Sequence, residues 1–160
     1  MYGGDKKVLV GYADADGSMA EDRRTVSGYA FIVDGGAVSW STKCQEVVSL
    51  STTESEYIAT THAAKEALWL HSLIIQAFGP LTQATTLFSD NQSAIASQKI
   101  TNTTHAPNTL TFDSILSAGS SNKIHLIFCP TDDMVADTLT KALPLPKVKH
   151  FASELGLCNA

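Results

Sequence analysis

Four acidic residues, Asp14, Glu56, Asp90 and Asp137, stand where a mixed α/β chain could gather their carboxylates. Asp14 follows the apolar run Lys7-Val-Leu-Val-Gly-Tyr-Ala13, and Asp90 follows Thr85-Thr-Leu-Phe-Ser89. Both runs read as strands. If those strands lie side by side and parallel, both carboxylates sit at the carboxyl edge of the sheet, where open α/β sheets build their sites. Glu56 lies in the first turns of a long helical pattern, on the stripe that faces the sheet, whereas Glu54 is turned ~160° away. Asp137 belongs to the last well-marked helical pattern. It projects from the side opposite Val135, Leu139 and Ala142, with Asp133 and Lys141 as neighbours. Gathered carboxylates raise one another's pKa unless something positive lies between them. Hard divalent cations with oxygen ligands remove that cost. Two such ions ~4 Å apart can activate water on one side of a phosphodiester and stabilise the leaving oxygen on the other. Mg²⁺ keeps several of its waters, so four acids suffice. Singly, each acid has an ordinary reading as a turn residue, a helix-dipole partner or a solvated face. Jointly they point to metal-assisted phosphodiester chemistry.

The elements that must position these acids follow from periodicity. After the first strand and a polar loop over 14–24, Val26 to Val33 alternates as a second strand. Asp34-Gly35-Gly36 signals a hairpin turn, and Ala37 to Thr42 returns antiparallel. Ser51-Thr-Thr-Glu54 has capping-box spacing and opens a helix that runs to about Phe78 and stops at Gly79-Pro80. Glu56, Ala59, Ala63, Ala67, Leu70, Ile74 and Phe78 share one stripe, with Lys65, Ser72 and Gln76 opposite. The small residues let the helix lie close to a sheet. Residues 85–89 form a fourth strand and 93–99 a short helix. Residues 102–108 read as loop, 110–118 as a further helix and 123–129 as a fifth strand stopped by Pro130. Residues 131–143 read as a helix broken by Pro144 and Pro146, with a terminal helix over 147–157. The strand–helix–strand link favours a parallel pair in an otherwise antiparallel sheet.

The 160 residues, 44% of them hydrophobic and 17% charged, fit one globular domain over 1–160, with 1–6 and 144–160 peripheral. No apolar stretch is long enough to span a bilayer, and the opening Met1 to Lys7 lacks a signal-peptide core. Cys44, Cys129 and Cys158 are odd in number and far apart, which argues against a disulfide framework or zinc knuckle and for a reducing compartment. The five histidines have no HExxH-like spacing. A net charge of −5 lacks the broad basic footprint usual for nucleic-acid binders, so any nucleic acid must be held by local contacts and bound cations.

Several stretches closely resemble the ribonuclease H domain of copia-type LTR-retrotransposon polyproteins. They are Gly11-Tyr-Ala-Asp-Ala-Asp16, Ser27-Gly-Tyr-Ala-Phe31, Ala37-Val-Ser-Trp-Ser-Thr-Lys43 and Leu50-Ser-Thr-Thr-Glu-Ser-Glu-Tyr-Ile-Ala59. Further on stand Ala64-Lys-Glu-Ala-Leu-Trp-Leu70, Ser89-Asp-Asn-Gln-Ser-Ala-Ile95 and Val135-Ala-Asp-Thr-Leu-Thr-Lys141, in the family's order and covering most of the chain. The resemblance implies an α/β, ribonuclease H-like fold: a five-stranded mixed sheet, order 3-2-1-4-5, flanked by helices. It implies an endonuclease that cuts the RNA strand of RNA–DNA hybrids during reverse transcription, leaving a 3′-hydroxyl and a 5′-phosphate. Asp14 rather than Asp16 matches the family's first acid, and Glu56, Asp90 and Asp137 match the other three. Together they would hold two Mg²⁺, for which Mn²⁺ can substitute. Thr52, Thr53, Asn91 and Gln92 match residues that touch the hybrid's minor groove, where RNA displays its 2′-hydroxyls. Arg23 and Arg24 are candidate phosphate contacts. The parent would carry an upstream reverse transcriptase, with no membrane association, and the isolated domain is expected to be a monomer. Its place would be intracellular: the cytoplasm, virus-like particles or the nucleus.

The sequence departs from that pattern after the third acid. The family's His-x-Arg-x-Lys-His-Ile-Asp is here His105-Ala-Pro-Asn-Thr-Leu-Thr-Phe-Asp113, without the arginine and lysine. Gly17 replaces a common tryptophan; no histidine stands between the fifth strand and Asp137, where cellular enzymes carry one, but copia-type sequences generally lack it too. If the altered segment helps hold the substrate, affinity should be low and salt-sensitive. The alternative is a domesticated or decayed module of the same fold that binds nucleic acid or protein without cutting. An integrase or other nuclease of the broad fold suits the helix start and the strand meander less well.

Overall fold

The computed structural model describes residues 8–16, 25–46, 51–81, 83–90, 92 and 123–157. The expectations for helices over 93–99 and 110–118, for the loop over 102–108, for Arg23, Arg24 and Asn91, and for the altered 105–113 segment lie outside the described residues.

Five strands form one sheet: β1 (Leu9–Asp16), β2 (Val26–Val33), β3 (Gly36–Cys44), β4 (Thr85–Ser89) and β5 (Ile124–Phe128). Their order is β3-β2-β1-β4-β5. The first three make an antiparallel meander, whereas β4 runs parallel to β1 and β5 parallel to β4. The β2–β3 turn places Asp34 and Gly35 at φ 52° and 78°. Two positive φ values match the right-handed twist of a two-residue hairpin, which is why an Asp-Gly pair stands there. Expected to stop before Asp14, β1 instead continues to Asp16, because Asp14, Ala15 and Asp16 still pair with Gly28, Ser27 and Val26.

The long helix α1 spans Thr52–Phe78. The Ser51 side chain caps it, accepting from the Glu54 N–H, and Gly79 ends it at φ 93°. Ala59, Ala63, Ala67, Leu70 and Ile74 of the expected stripe are buried, while Phe78 is 68% exposed. The stripe overshoots at its last turn, where Phe78 lies outside the main core. Ala63, Ala64, Ala67, Leu70 and Ile74 pack with Leu9, Ala13, Phe31, Leu87, Ile124 and Leu126 in the main core. Opposite strand positions serve a second cluster, in which Tyr12 and Phe88 stack at 5.2 Å and cover Cys129, Met134 and Ala136.

The segment expected as one helix over 131–143 is divided. A 3₁₀ turn, Thr131–Asp133, is followed by Met134 in an extended conformation and then by α2, Asp137–Thr140. Met134 leaves the helical path to fill the second cluster, where it is fully buried. The β-branched residues Thr131, Val135, Thr138 and Thr140 add little helical preference to oppose this. The prolines open an element as well as ending one: Pro144 precedes α3, Leu145–Glu154, and Pro146 sits in its first turn. This helix starts earlier than the expected residue 147. It buries Phe151, and the Ala37 N–H donates to the Leu155 carbonyl at 2.9 Å, tying the segment to β3. No helix of the described residues is long and apolar enough to cross a membrane.

α2 lies directly over Gly28 of β2. A Cβ at Gly28 would fall 2.7 Å from Thr140 Cγ2 and 3.0 Å from Leu139 Cβ. Neither atom is the free end of a long side chain. Gly28→Ala is therefore expected to lower unfolding stability by about 1–3 kcal/mol through overpacking, measured by urea denaturation. Unchanged stability would show that this turn is not seated on β2.

Candidate metal centre

The parallel ladder between β1 and β4 ends at the pair Ala13–Ser89. The next residue on each strand is an acid, so the register alone sets Asp14 beside Asp90 at the carboxyl edge. Glu56 comes from the second turn of α1, and two buried links pin that turn. The Gln45 side-chain amide donates to Ser27 Oγ at 2.6 Å and to the Ser55 carbonyl at 2.9 Å. Thr60 Oγ1 donates to the Glu56 carbonyl at 2.8 Å and lies 3.4 Å from Ser89 Oγ, the hydroxyl just before Asp90. The helix start is thereby fastened to β2 and β4 at once.

Asp14, Glu56 and Asp90 each present an oxygen within 4.8 Å of the others. Asp14 is fully buried. Glu56 Oε2 and Asp90 Oδ1 are buried and have no hydrogen-bond partner. Unpaired buried carboxylate oxygens are costly, so their presence as a pair needs a compensating cation or proton. Burial first, then the charges of Asp90 and Asp14, push Glu56 up to about 9. Burial and Asp14 likewise raise Asp90 above the usual carboxylate range, although a hydrogen bond with Glu56 opposes this. An all-carboxylate set with two open oxygens fits a hard divalent cation such as Mg²⁺ or Mn²⁺.

Asp137 reaches the same edge but not the same cluster. Its Oδ1 accepts from Lys141 Nζ at 2.7 Å, and Lys147 Nζ lies 3.9 Å from its Oδ2. Burial raises Asp137 above its ordinary range, with the Lys141 hydrogen bond working the other way. Lys141 Nζ also donates to Asp14 Oδ1 at 3.1 Å, and the Thr140 hydroxyl donates to Asp14 Oδ2. Burial opposes the charge on Lys141, but its bond to Asp137 and the charge of Asp14 carry its pKa above the ordinary lysine value.

The sequence reading gathered Asp14, Glu56, Asp90 and Asp137 at one site; the first three do converge, whereas Asp137 joins Asp14 through Lys141. That reading missed Thr140, whose signal was the i, i+3 spacing from Asp137. It treated Lys141 as only a helical neighbour, although i, i+4 spacing from Asp137 placed the ammonium within reach. Thr52 and Thr53 lie exposed at the start of α1, and Gln92 is exposed two residues past Asp90.

No protein-family profile matches the chain. It is 36% identical over 163 aligned residues, 98% of its length, to the retrovirus-related Pol polyprotein from transposon TNT 1-94 of Nicotiana tabacum. It is 28% identical over 96% of its length to that from transposon RE1 of Arabidopsis thaliana. The chain spans only 12% and 11% of those polyproteins. Among solved structures it is similar to the N-terminal RNase H domain of rv2228c from Mycobacterium tuberculosis, with a TM-score of 0.54 at 14% identity over 90% of this chain and 95% of that one. It is also similar to LC11-RNase H1, solved in complex with an RNA/DNA hybrid, with a TM-score of 0.52 at 12% identity over 84% and 94%. At such identities the structural likeness establishes the fold.

Proposed function

Because the chain is homologous to one stretch of the retrovirus-related Pol polyproteins of copia-type transposons and has the ribonuclease H-like fold, we propose that it hydrolyses the RNA strand of RNA–DNA hybrids. One observation carries the reading: three carboxylates converge at the sheet edge with two buried oxygens left open. Asp14, Glu56, Asp90 and Asp137 would hold two Mg²⁺ or Mn²⁺ ions. When bound, such ions supply positive charge to the attacking and leaving oxygens of a phosphodiester.

The chain's own groups do the positioning. Thr140 fixes the rotamer of Asp14 by holding one of its oxygens. The Gln45 and Thr60 links fix the height of Glu56 over the sheet. Glu56 must give up its proton to bind a cation, since burial and like charge hold it protonated at neutral pH. Thr52, Thr53 and Gln92 are exposed and suited to read 2′-hydroxyls in a shallow minor groove; Asn91 would share that role, and Arg23 and Arg24 would contact phosphates. The parent polyprotein would pair this chemistry with an upstream reverse transcriptase whose RNA template it degrades.

The test is a labelled RNA–DNA hybrid in Mg²⁺ or Mn²⁺, beside duplex DNA and duplex RNA. Cleavage of RNA in the hybrid alone is expected, leaving 3′-hydroxyl ends. Binding of the hybrid without cleavage in either metal would favour the non-cutting module, a reading supported by the net charge of −5 and the missing basic residues over 105–113. Cutting of duplex DNA would sink both.

A further inference from the structure

Two cation positions can be drawn among the described acids, and they differ. The first lies among Asp14, Glu56 and Asp90 and offers two open oxygens. The second lies between Asp14 and Asp137, and a cation is already there: Lys141 Nζ, 3.1 Å from one carboxylate and 2.7 Å from the other. We infer that Lys141 is the resting occupant of the second position, so that the free protein takes one divalent cation and admits another only by displacing the ammonium. The inference rests on reading the sheet edge as a divalent-cation site.

This is not an ordinary surface ion pair. The Asp14 and Asp137 side chains are 0% and 2% exposed, whereas Lys141 is 26% exposed. Two buried like charges would repel strongly without a positive group between them. The turn that carries Lys141 is itself fixed. Its N–H donates to the Asp137 carbonyl at 2.9 Å, and the side chain of the preceding residue, Thr140, holds the second Asp14 oxygen. The lysine stem is partly exposed to solvent, which leaves the ammonium a way outward while the backbone stays. Lysine suits this role as a compact, mobile point charge. Arginine would keep the charge but not the size. An ammonium and a divalent ion on the same carboxylates disfavour each other reciprocally. Lys141 thus sets how many divalent ions bind, and in what order.

The test counts Mn²⁺ bound to the full 160-residue chain, by calorimetry and by the loss of the free-ion paramagnetic signal. Wild type is expected to bind one equivalent tightly and a second weakly. Lys141→Met is expected to tighten the second by roughly tenfold or more, within the usual span of coupling between sites. Superimposable isotherms for wild type and a folded Lys141→Met would overturn the role of Lys141 while leaving the metal reading intact. Absence of Mn²⁺ binding to wild type would sink the metal reading itself. A second measurement needs no variant: amine acetylation of wild-type Lys141, followed by mass spectrometry. Labelling should stay low through the first equivalent of Mn²⁺ and rise as the second binds. Labelling that ignores the second equivalent would overturn the inference.

Discussion

Asp90→Asn is expected to lower cleavage of the RNA strand by roughly 10²–10³-fold or more, the cost of removing one electrostatic stabiliser from a water-poor site, while leaving the cation-free fold at least as stable. Asparagine keeps the shape of the side chain and removes its charge. One of the two Asp90 oxygens is buried without a partner, and an amide can keep a hydrogen bond with Glu56 at the other. The stability half of the prediction has a definite sign. Asp90 has a folded pKa above its unfolded one, so above the unfolded value its ionisation weakens the fold. Asparagine removes that penalty, and it also removes one of the charges that hold Glu56 protonated. Single-turnover cleavage and thermal melting, run on the same preparation, check both halves. A variant that cuts at the wild-type rate would exclude Asp90 from the chemistry. One that fails to cut because it has unfolded would leave the melting curve to say so, and Asp90→Ser then repeats the test.

The second large effect is a pH-dependent stabilisation by divalent cations. Glu56 moves from an ordinary 4.5 to about 9 in the folded chain. The folded state therefore holds a proton that the unfolded state has lost. Stability from this group is fully present below the unfolded value and is lost as pH rises from about 4.5 through about 9. Asp90 and Asp137, both raised, add to the same slope from lower pH. A divalent ion must displace the Glu56 proton, so its affinity climbs over that window. At a concentration ~100 times its dissociation constant, it should stabilise the fold by about 2.7 kcal/mol. For a chain of this size that is a rise in Tm of roughly 5–10 °C. The Mg²⁺-induced shift should be small at pH 6 and large at pH 8.5. Glu56→Gln should flatten both the intrinsic slope and the response to Mg²⁺. An equal shift at the two pH values would mean that the cation does not bind at Glu56.

Much of this arrangement is legible in the residues because the signals are local. Alternation marks β2, an Asp-Gly turn marks the hairpin, and an apolar run closed by Pro130 marks β5. The small-residue stripe of α1 names both the face that packs and the acid at its start. Asp14 and Asp90 could be paired because both follow strands, and parallel pairing then fixes the rest. What escaped depends on the tertiary partner. β1 outlasts its apolar run because β2 supplies a ladder for Asp14, Ala15 and Asp16. The 131–143 segment breaks because the Met134 side chain gains more from the second cluster than the backbone gains from an unbroken helix. Phe78 keeps helical phase but stays outside the main core. Thr140 is a hydroxyl whose use appears only when α2 is laid across Gly28. None of these is a failure of periodicity, since each is settled by a neighbour distant in sequence.

The register between β1 and β4 carries one more consequence. Because the pairing between these strands ends at Ala13 and Ser89, the distance between the two aspartates is set by a ruler of backbone hydrogen bonds. Connections between elements can lengthen or shorten without disturbing that ruler. A single residue inserted inside the five-residue β4 cannot, because a one-step slip turns every later side chain to the opposite face. Natural variation in relatives of this chain should therefore accumulate as length changes between the strands, with the spacing inside β4 left untouched.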